Sequence, residues 1–481
     1  MSTRQKRLSF LLSVVFILSI CGNLFGQAEF DYKQINLLRW MDPDRKPITY
    51  EEYLESRHFA KEFRTRCIYS SFKGMNPKGV TPLCIIVNNL LQPQIETAFL
   101  RFITDLEMEG YGINLYTATN NGDEEALKEL LISEWNTRQI VGVILIGDLA
   151  VPWYEMTEPE DWGGNHVEFP IDLYYMDLDG LWMDADENGL YDGHLDGDGD
   201  MEADIWVGRL FPKNLTYYEA QEVAMMDNYL DKNHRYRTGE LRLYDKALAY
   251  IDNDWCMYGW EDEVALAYPI TDAVTDIYET NREDYMERIR EFTDNRYENL
   301  LICSHSSPWA HYLYWGTGPW DYSLFHNYEI ELIHVQVHFY NLFACSNCRF
   351  VENDDMGDWY LFQSTYGLLS VGSTKTGSML CFYDYYAPLG EGKSFGDAFL
   401  DWCINNMETC AGSWSRPWFY GMTLLGDPTL KISRYMVNPT GDVNEDGNVD
   451  ASDVIFLINY LFIGGPAPNP LALGDLSGDC L

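Results

Sequence analysis

From Leu83 onward the chain alternates short apolar runs with amphipathic stretches, and this alternation limits what it can fold into. Leu83-Cys84-Ile85-Ile86-Val87 reads as a buried strand. Ile95, Phe99, Phe102 and Leu106 follow at helical spacing, and Gly110 and Gly112 end that helix. A second strand starts over Ile113–Tyr116, a helix covers Glu124–Trp135, and a third strand covers Val141–Ile146, closed by Gly147-Asp148. A β-α-β-α-β run implies a parallel sheet with crossover helices. An acidic loop, Asp177–Asp204, interrupts the pattern before Ile205-Trp206-Val207-Gly208-Arg209 and a helix near Tyr217–Leu230. A second unit begins at Lys246–Ile251, continues through strands near 300 and 340 and through Gly367–Gly372, and closes at Leu424-Leu425-Gly426-Asp427-Pro428. The predicted class is α/β: two consecutive parallel-sheet units, plus a small α-helical tail on an EF-type calcium loop.

Two strands of the second unit end in reactive side chains. Leu300-Leu301-Ile302-Cys303-Ser304-His305-Ser306 delivers a histidine, and Tyr340-Asn341-Leu342-Phe343-Ala344-Cys345-Ser346-Asn347 delivers a cysteine. Adjacent parallel strands ending this way put an imidazole and a thiol together at the carboxyl edge of a sheet, where sites of open α/β sheets form. The pattern points to a cysteine nucleophile with a histidine base. The thiolate is the attacking species, and backbone N–H groups at the two turns can hold an oxyanion. Cys348 is a competing nucleophile or a small apolar residue. Taken singly, a strand-end histidine is usually structural, and a free cysteine is usually buried filling.

Composition narrows the setting. The net charge of −42 makes nucleic acid an improbable partner, because nothing neutralises phosphates, and it favours divalent cations or plain solubility. Met1–Ala28 reads as a secretory leader: Arg4, Lys6 and Arg7 precede apolar Leu8–Ile20, and Gly26-Gln27-Ala28 is a small-x-small cleavage site. Ile20 is the wrong neighbour for Cys21 to be lipidated. No later apolar stretch has the length of a membrane helix, so the expected product is exported and has no membrane span. Of the eleven cysteines, Cys21 lies in the leader and the rest are scattered without paired metal spacing, so disulfide partners stay unassigned. The expected layout is leader 1–28, packing arm 29–79, first subdomain 80–240 with acidic loop 177–204, catalytic subdomain 241–437, linker 438–440 and tail 441–481.

Two segments carry oxygen-ligand spacing. Asp184-x-Asp186-x-Asn188-Gly189, with Asp192, resembles a metal loop, though Leu195 stands at its last position and a solvated acidic loop is the alternative. Asp442-x-Asn444-x-Asp446-Gly447, ending at Asp453, is sharper: positions 1, 3, 5 and 12 carry oxygen and position 6 is glycine. The Asn448 carbonyl and Asp450 complete the expected Ca²⁺ set, ahead of a helix over Val454–Phe462.

Segments 300–307, 341–350 and 367–376 together resemble the gingipain-type family of clan CD cysteine peptidases, relatives in fold of caspases and legumains. That family commonly reads G-H-G and A-C-x-x-G-x-F; here the text is Ser304-His305-Ser306 and Ala344-Cys345-Ser346-Asn347-Cys348-Arg349-Phe350. The likeness covers roughly residues 80–432 and departs at Ser306 and Cys348, where the family usually has glycine. It implies a secreted endopeptidase that cuts protein or peptide substrates through Cys345 and His305, with the amides of Ser306 and Cys345 as oxyanion hole. It also implies an acid orienting the histidine, with Asp254 as first choice and Asp252 as second. The tail resembles the first half of a type I dockerin, implying a cohesin-type partner; a second loop begins at Asp475-x-Ser477-x-Asp479, two residues before Leu481. A reading of another class is a non-catalytic surface or adhesion module that keeps the fold and docks through the tail.

Overall fold

The computed structural model describes residues 35–72, 79–215, 219–290, 296–316, 318, 321–407, 416–433, 443 and 451–465. The expected leader and most of the tail loop lie outside them. The chain divides into units Met1–Leu37 and Leu38–Leu481, and the second holds the sheet and the site.

Eleven strands form one sheet. Its order is Thr65–Ser70, Tyr111–Ala118, Thr81–Asn88, Gly142–Ile146, Trp206–Leu210, Met422–Gly426, Leu369–Ser373, Val337–Phe343, Tyr297–Cys303, Tyr244–Ile251 and Ile270–Val274. The two expected α/β units are the two halves of this sheet. Neighbours are parallel within each half, except for the antiparallel edge strand Thr65–Ser70. At the seam Met422–Gly426 runs parallel to Trp206–Leu210 but antiparallel to Leu369–Ser373.

Burial explains why the central strands read as unbroken apolar runs. Leu83–Val87, Val143, Ile144, Ile146, Leu300–Ile302 and Leu342–Phe343 are almost entirely buried, as strands covered by helices on both faces must be. The helix Glu96–Met108 turns Phe99, Phe102 and Leu106 inward, as its spacing expects, and Ile103 with them. Gly142 makes room for Trp206: a Cβ there would stand 2.1 Å from the indole. Beyond the sequence reading, the acidic loop contains a hairpin of Leu181–Met183 and Gly193–Leu195. Its His194 is buried, hydrogen-bonded to Asp177 at 2.6 Å and stacked on Trp182 at 4.0 Å. The packing arm supplies the helix Tyr50–Ser56, capped by Thr49, and the edge strand. Among the described residues no helix is long and apolar enough to cross a membrane.

Candidate active site

The Tyr297–Cys303 and Val337–Phe343 strands pair in parallel with Cys303 opposite Phe343. His305 and Cys345 therefore each follow their strand two residues beyond the same rung. Three hydrogen bonds fasten the two turns: Ser304 N–H to the Phe343 carbonyl at 3.1 Å, Ser306 Oγ–H to the Cys345 carbonyl at 2.8 Å, and Asn347 Nδ2–H to the Ser307 carbonyl at 2.6 Å. Ser346 sits at φ 55°, a left-handed conformation that a non-glycine residue holds only where its surroundings enforce it.

His305 opens a small antiparallel sheet of His305–Ser307, Ala310–Tyr314 and Tyr322–His326. Its imidazole is buried against Trp255 and Tyr314, with ring centroids 4.8 and 5.3 Å away. Nε2 lies 2.7 Å from Asp254 Oδ2. The hydrogen bond to His305 is the largest influence on Asp254 and holds its carboxyl below the usual range; the charges of His305 and Arg39 act the same way, against burial. Asp252, fully buried, accepts the Asp254 N–H at 3.1 Å. Burial pushes its carboxyl well up. Of the two acids singled out after this strand, Asp254 meets the imidazole and Asp252 braces the turn.

The other imidazole nitrogen is also engaged. Nδ1 accepts the backbone N–H of Arg39 at 3.1 Å. Trp40 bridges Ser306 in parallel, and Met41 N–H donates to the Ser306 carbonyl at 3.0 Å. The Trp40 ring stands edge-on to Trp309 at 5.8 Å, and the Arg45 guanidinium lies 3.5 Å over Trp309. The arm thus lays an extended strand across the histidine turn. No sequence motif marks it, because its key contact is a backbone N–H.

Cys345 is fully buried, although a strand-end turn suggests an open edge. The Gly377 N–H, the Lys375 ammonium and the Thr376 side chain favour its thiolate, and the Glu158 carboxylate opposes it. Burial dominates and pushes the thiol up to about 12. Among the described residues no hydrogen bond joins Cys345 to His305. Cys348 faces elsewhere: its sulfur packs so near Gly372 that a Cβ there would stand 2.7 Å away. Burial raises that thiol well above its ordinary value. Lys375 and Glu158 escaped the sequence reading; the signal available for Lys375 was a lysine in the polar turn closing the strand beside the nucleophile strand.

In the acidic loop the expected ligands Asp184, Asp186, Asn188 and Asp192 hydrogen-bond within the loop itself. Asp184 accepts the N–H groups of Asn188 and Gly189, Asp192 accepts that of Ala185, and Asn188 bonds Asp186 and Glu155. These side chains close the loop on itself, as Asx residues do. The carboxylates that converge among the described residues are Asp177, Asp179 and Asp204. Burial pushes the Asp204 carboxyl up to about 6, with Asp179, Asp177 and Asp200 adding to the rise and the Leu178 N–H opposing it. In the tail, Asp442, Asn444, Asp446, Asn448 and Asp450 lie outside the described residues. Asp453 is buried and accepts the Val443 N–H at 2.7 Å, which turns it back to the start of the loop. An all-oxygen donor set closed in this way fits Ca²⁺.

An α/β sheet that brings a histidine and a cysteine to the ends of adjacent parallel strands defines a cysteine-hydrolase architecture. Residues 111–433 match the model of peptidase family C25, and the chain belongs to that family. The family consists of cysteine-type endopeptidases of the gingipain class in clan CD, so the chain is a cysteine-type peptidase. Residues 440–480 match the type I dockerin domain, a domain that typically binds Ca²⁺ and implies a cohesin partner. No curated protein matches the chain.

Proposed function

We propose that the chain is an exported endopeptidase in which Cys345 attacks the scissile carbonyl and His305 moves the protons. Asp254 orients His305 through the 2.7 Å contact at Nε2, leaving Nδ1 as the nitrogen that takes the thiol proton and returns it to the leaving amine. The amides of Ser306 and Cys345 receive the oxyanion. The observation that carries this reading is the shared rung of the two strands, Cys303 opposite Phe343, together with the His305–Asp254 pair. Nδ1 becomes a base only when the Arg39 N–H leaves it, so the arm must lift before Cys345 and His305 can meet.

The layout proposed is leader 1–28, arm 29–79, subdomains 80–240 and 241–437, linker 438–440 and dockerin region 441–481. Asp442, Asn444, Asp446, the Asn448 carbonyl, Asp450 and Asp453 hold Ca²⁺, which neutralises their crowded charge and anchors the helix Ala451–Ile458. That helix and the turn after it leave Val454, Ile455, Leu461 and Phe462 exposed, an apolar face for the cohesin-type partner. The test is labelling by a peptidyl thiol-directed inhibitor and cleavage of a peptide library, in Ca²⁺ and reductant. Both signals are expected, and both vanish in Cys345→Ala. Cleavage that survives Cys345→Ala and disappears in Cys348→Ala overturns the assignment.

A further inference from the structure

The charged group in electrostatic range of Cys345 that favours its thiolate is not the imidazole. Lys375 is 4 % exposed, deep beneath the turn that receives the thiol. Its carbonyl accepts the Ser346 N–H at 3.0 Å, and the Ser373 carbonyl accepts the Cys348 N–H at 3.1 Å. The segment Ser373–Gly377 therefore grips the nucleophile loop along its backbone on both sides of Asn347. Gly377 holds φ +110°, and a Cβ there would stand 2.5 Å from the Pro417 carbonyl, so the turn that brings its N–H to the sulfur needs glycine.

Two of the three ammonium protons of Lys375 go to the carbonyls of Thr376 and Pro417. Those acceptors are neutral and leave the positive charge uncompensated. The rings of Phe169 and Trp162 lie 5.4 and 5.7 Å from the nitrogen and exclude water from it. The carboxylate in electrostatic range among the described residues is Glu158, itself 6 % exposed and with Oε1 lacking a hydrogen-bond partner. A charge kept dry at this depth is expensive unless an anion appears beside it. Ionised Cys345 is such an anion. Lys375 and Cys345 each shift the other toward its charged form, while Glu158 opposes thiolate formation and supports the ammonium.

We propose that Lys375 is a positioning residue for the reaction: its buried ammonium carries the negative charge of the Cys345 sulfur once the proton has gone to His305, and Glu158 sets how strongly. This deepens the reading of Cys345 as nucleophile and rests on it. His305 handles the proton, and Lys375, with the Gly377 N–H and the Thr376 hydroxyl, stabilises the anion that remains.

The test is the pH dependence of Cys345 alkylation by iodoacetamide in the full chain, read at that residue by mass spectrometry in wild type, Lys375→Met, Lys375→Arg and Glu158→Gln. Lys375→Met is expected to move the labelling midpoint up by about one pH unit, the scale of a nearby opposite charge. Glu158→Gln is expected to move it down, and Lys375→Arg to keep it near wild type. Opposite shifts from two neighbouring substitutions are not the mark of a merely structural role. Shifts in the same direction, no shift at all, or a wild-type Cys345 that stays unlabelled at every pH overturn the proposal. If Lys375→Met fails to fold, the downward shift in Glu158→Gln and the wild-type midpoint in Lys375→Arg decide it. A protein that shows these shifts yet cuts no peptide refutes the peptidase reading and leaves the ion pair standing.

Discussion

Trp40→Ala tests whether the strand laid across His305 controls access to the site. Four contacts hold that strand beside the turn: Arg39 N–H to His305 Nδ1, Met41 N–H to the Ser306 carbonyl, the Trp40 edge on Trp309, and the Arg45 guanidinium over the Trp309 ring. A neutral hydrogen bond contributes about 1 kcal/mol net, an edge-to-face aromatic pair about 1 kcal/mol beyond its burial, and a cation over an aromatic face about 1 kcal/mol. The closed arrangement is then favoured by ~4 kcal/mol, which puts the open form near one molecule in a thousand at tenfold per 1.4 kcal/mol. Removing the indole takes away its contact with Trp309 and the Nε1–H bonds to the Asp42 and Arg45 carbonyls that place Arg45 over Trp309; losing both contacts, ~2 kcal/mol, raises the open population about 30-fold. The assay is the second-order rate of Cys345 inactivation by a peptidyl electrophile, measured on the full chain. A rise of that order is expected in Trp40→Ala, while Arg39→Ala, which keeps the backbone donor, changes the rate only a few-fold. An unchanged or slower rate in a folded Trp40→Ala protein refutes the argument, because it means that the arm does not limit access.

Three other perturbations have defined outcomes. Asp254→Asn removes the acceptor at Nε2 and should lower kcat/KM by about 100-fold, the scale of acid–base assistance, with little change in Tm because the carboxylate is partly exposed; an unchanged kcat/KM rules out the orienting role. Glu298, fully buried with its carboxyl pushed up to about 7 by burial, has a folded pKa above its unfolded value, so the stability it contributes is complete below pH 4 and is lost as pH rises through 7. Glu298→Gln should therefore gain roughly 2–4 kcal/mol on wild type between pH 4 and pH 8, and parallel denaturation curves at the two pH values would contradict this. Ca²⁺ should release measurable heat on binding the chelated full chain, and Asp453→Ala should weaken that binding at least tenfold, since it removes the donor closing the loop; equal isotherms in calorimetry would show that the tail loop is not the site.

Much of the sheet was legible because buried parallel strands leave a chemical trace. Leu83–Val87, Val141–Ile146 and Lys246–Ile251 were read from apolar continuity, and each overlaps an observed strand. The edge strand Thr65–Ser70 is exposed at every position; it is held by backbone pairing, so its side chains carried no signal. The fusion of two units into one sheet was hidden for a different reason: the joining strand, Met422–Gly426, lies last among the sheet strands in sequence, and pairing between distant segments has no local signature. At the site, strand ends revealed His305, Cys345 and the acid pair after Ile251. The cap over His305, the burial of Cys345 and the cation beneath it depend on which remote segments fold back, and sequence spacing does not encode that. In the acidic loop Asp184 and Asn188 also close the turn, and the carboxylates that meet, Asp177, Asp179 and Asp204, come from farther apart in sequence.

The placement of Met422–Gly426 at the centre of the sheet gives the chain an order of events. Until that strand has been synthesised, Leu369–Ser373 and Trp206–Leu210 each present an unpaired edge, and the halves on either side have nothing to join them. Exposed edges of this kind recruit other chains, and contacts so distant in sequence form slowly. The segment that completes the nucleophile's own half, gripping Cys345 from Ser373 to Gly377, is thus supported on its far side only when almost the whole catalytic region exists. A nascent or prematurely terminated chain holds every residue of the proposed dyad but lacks the strand that joins the two halves, so the hydrolase is completed late in its own translation.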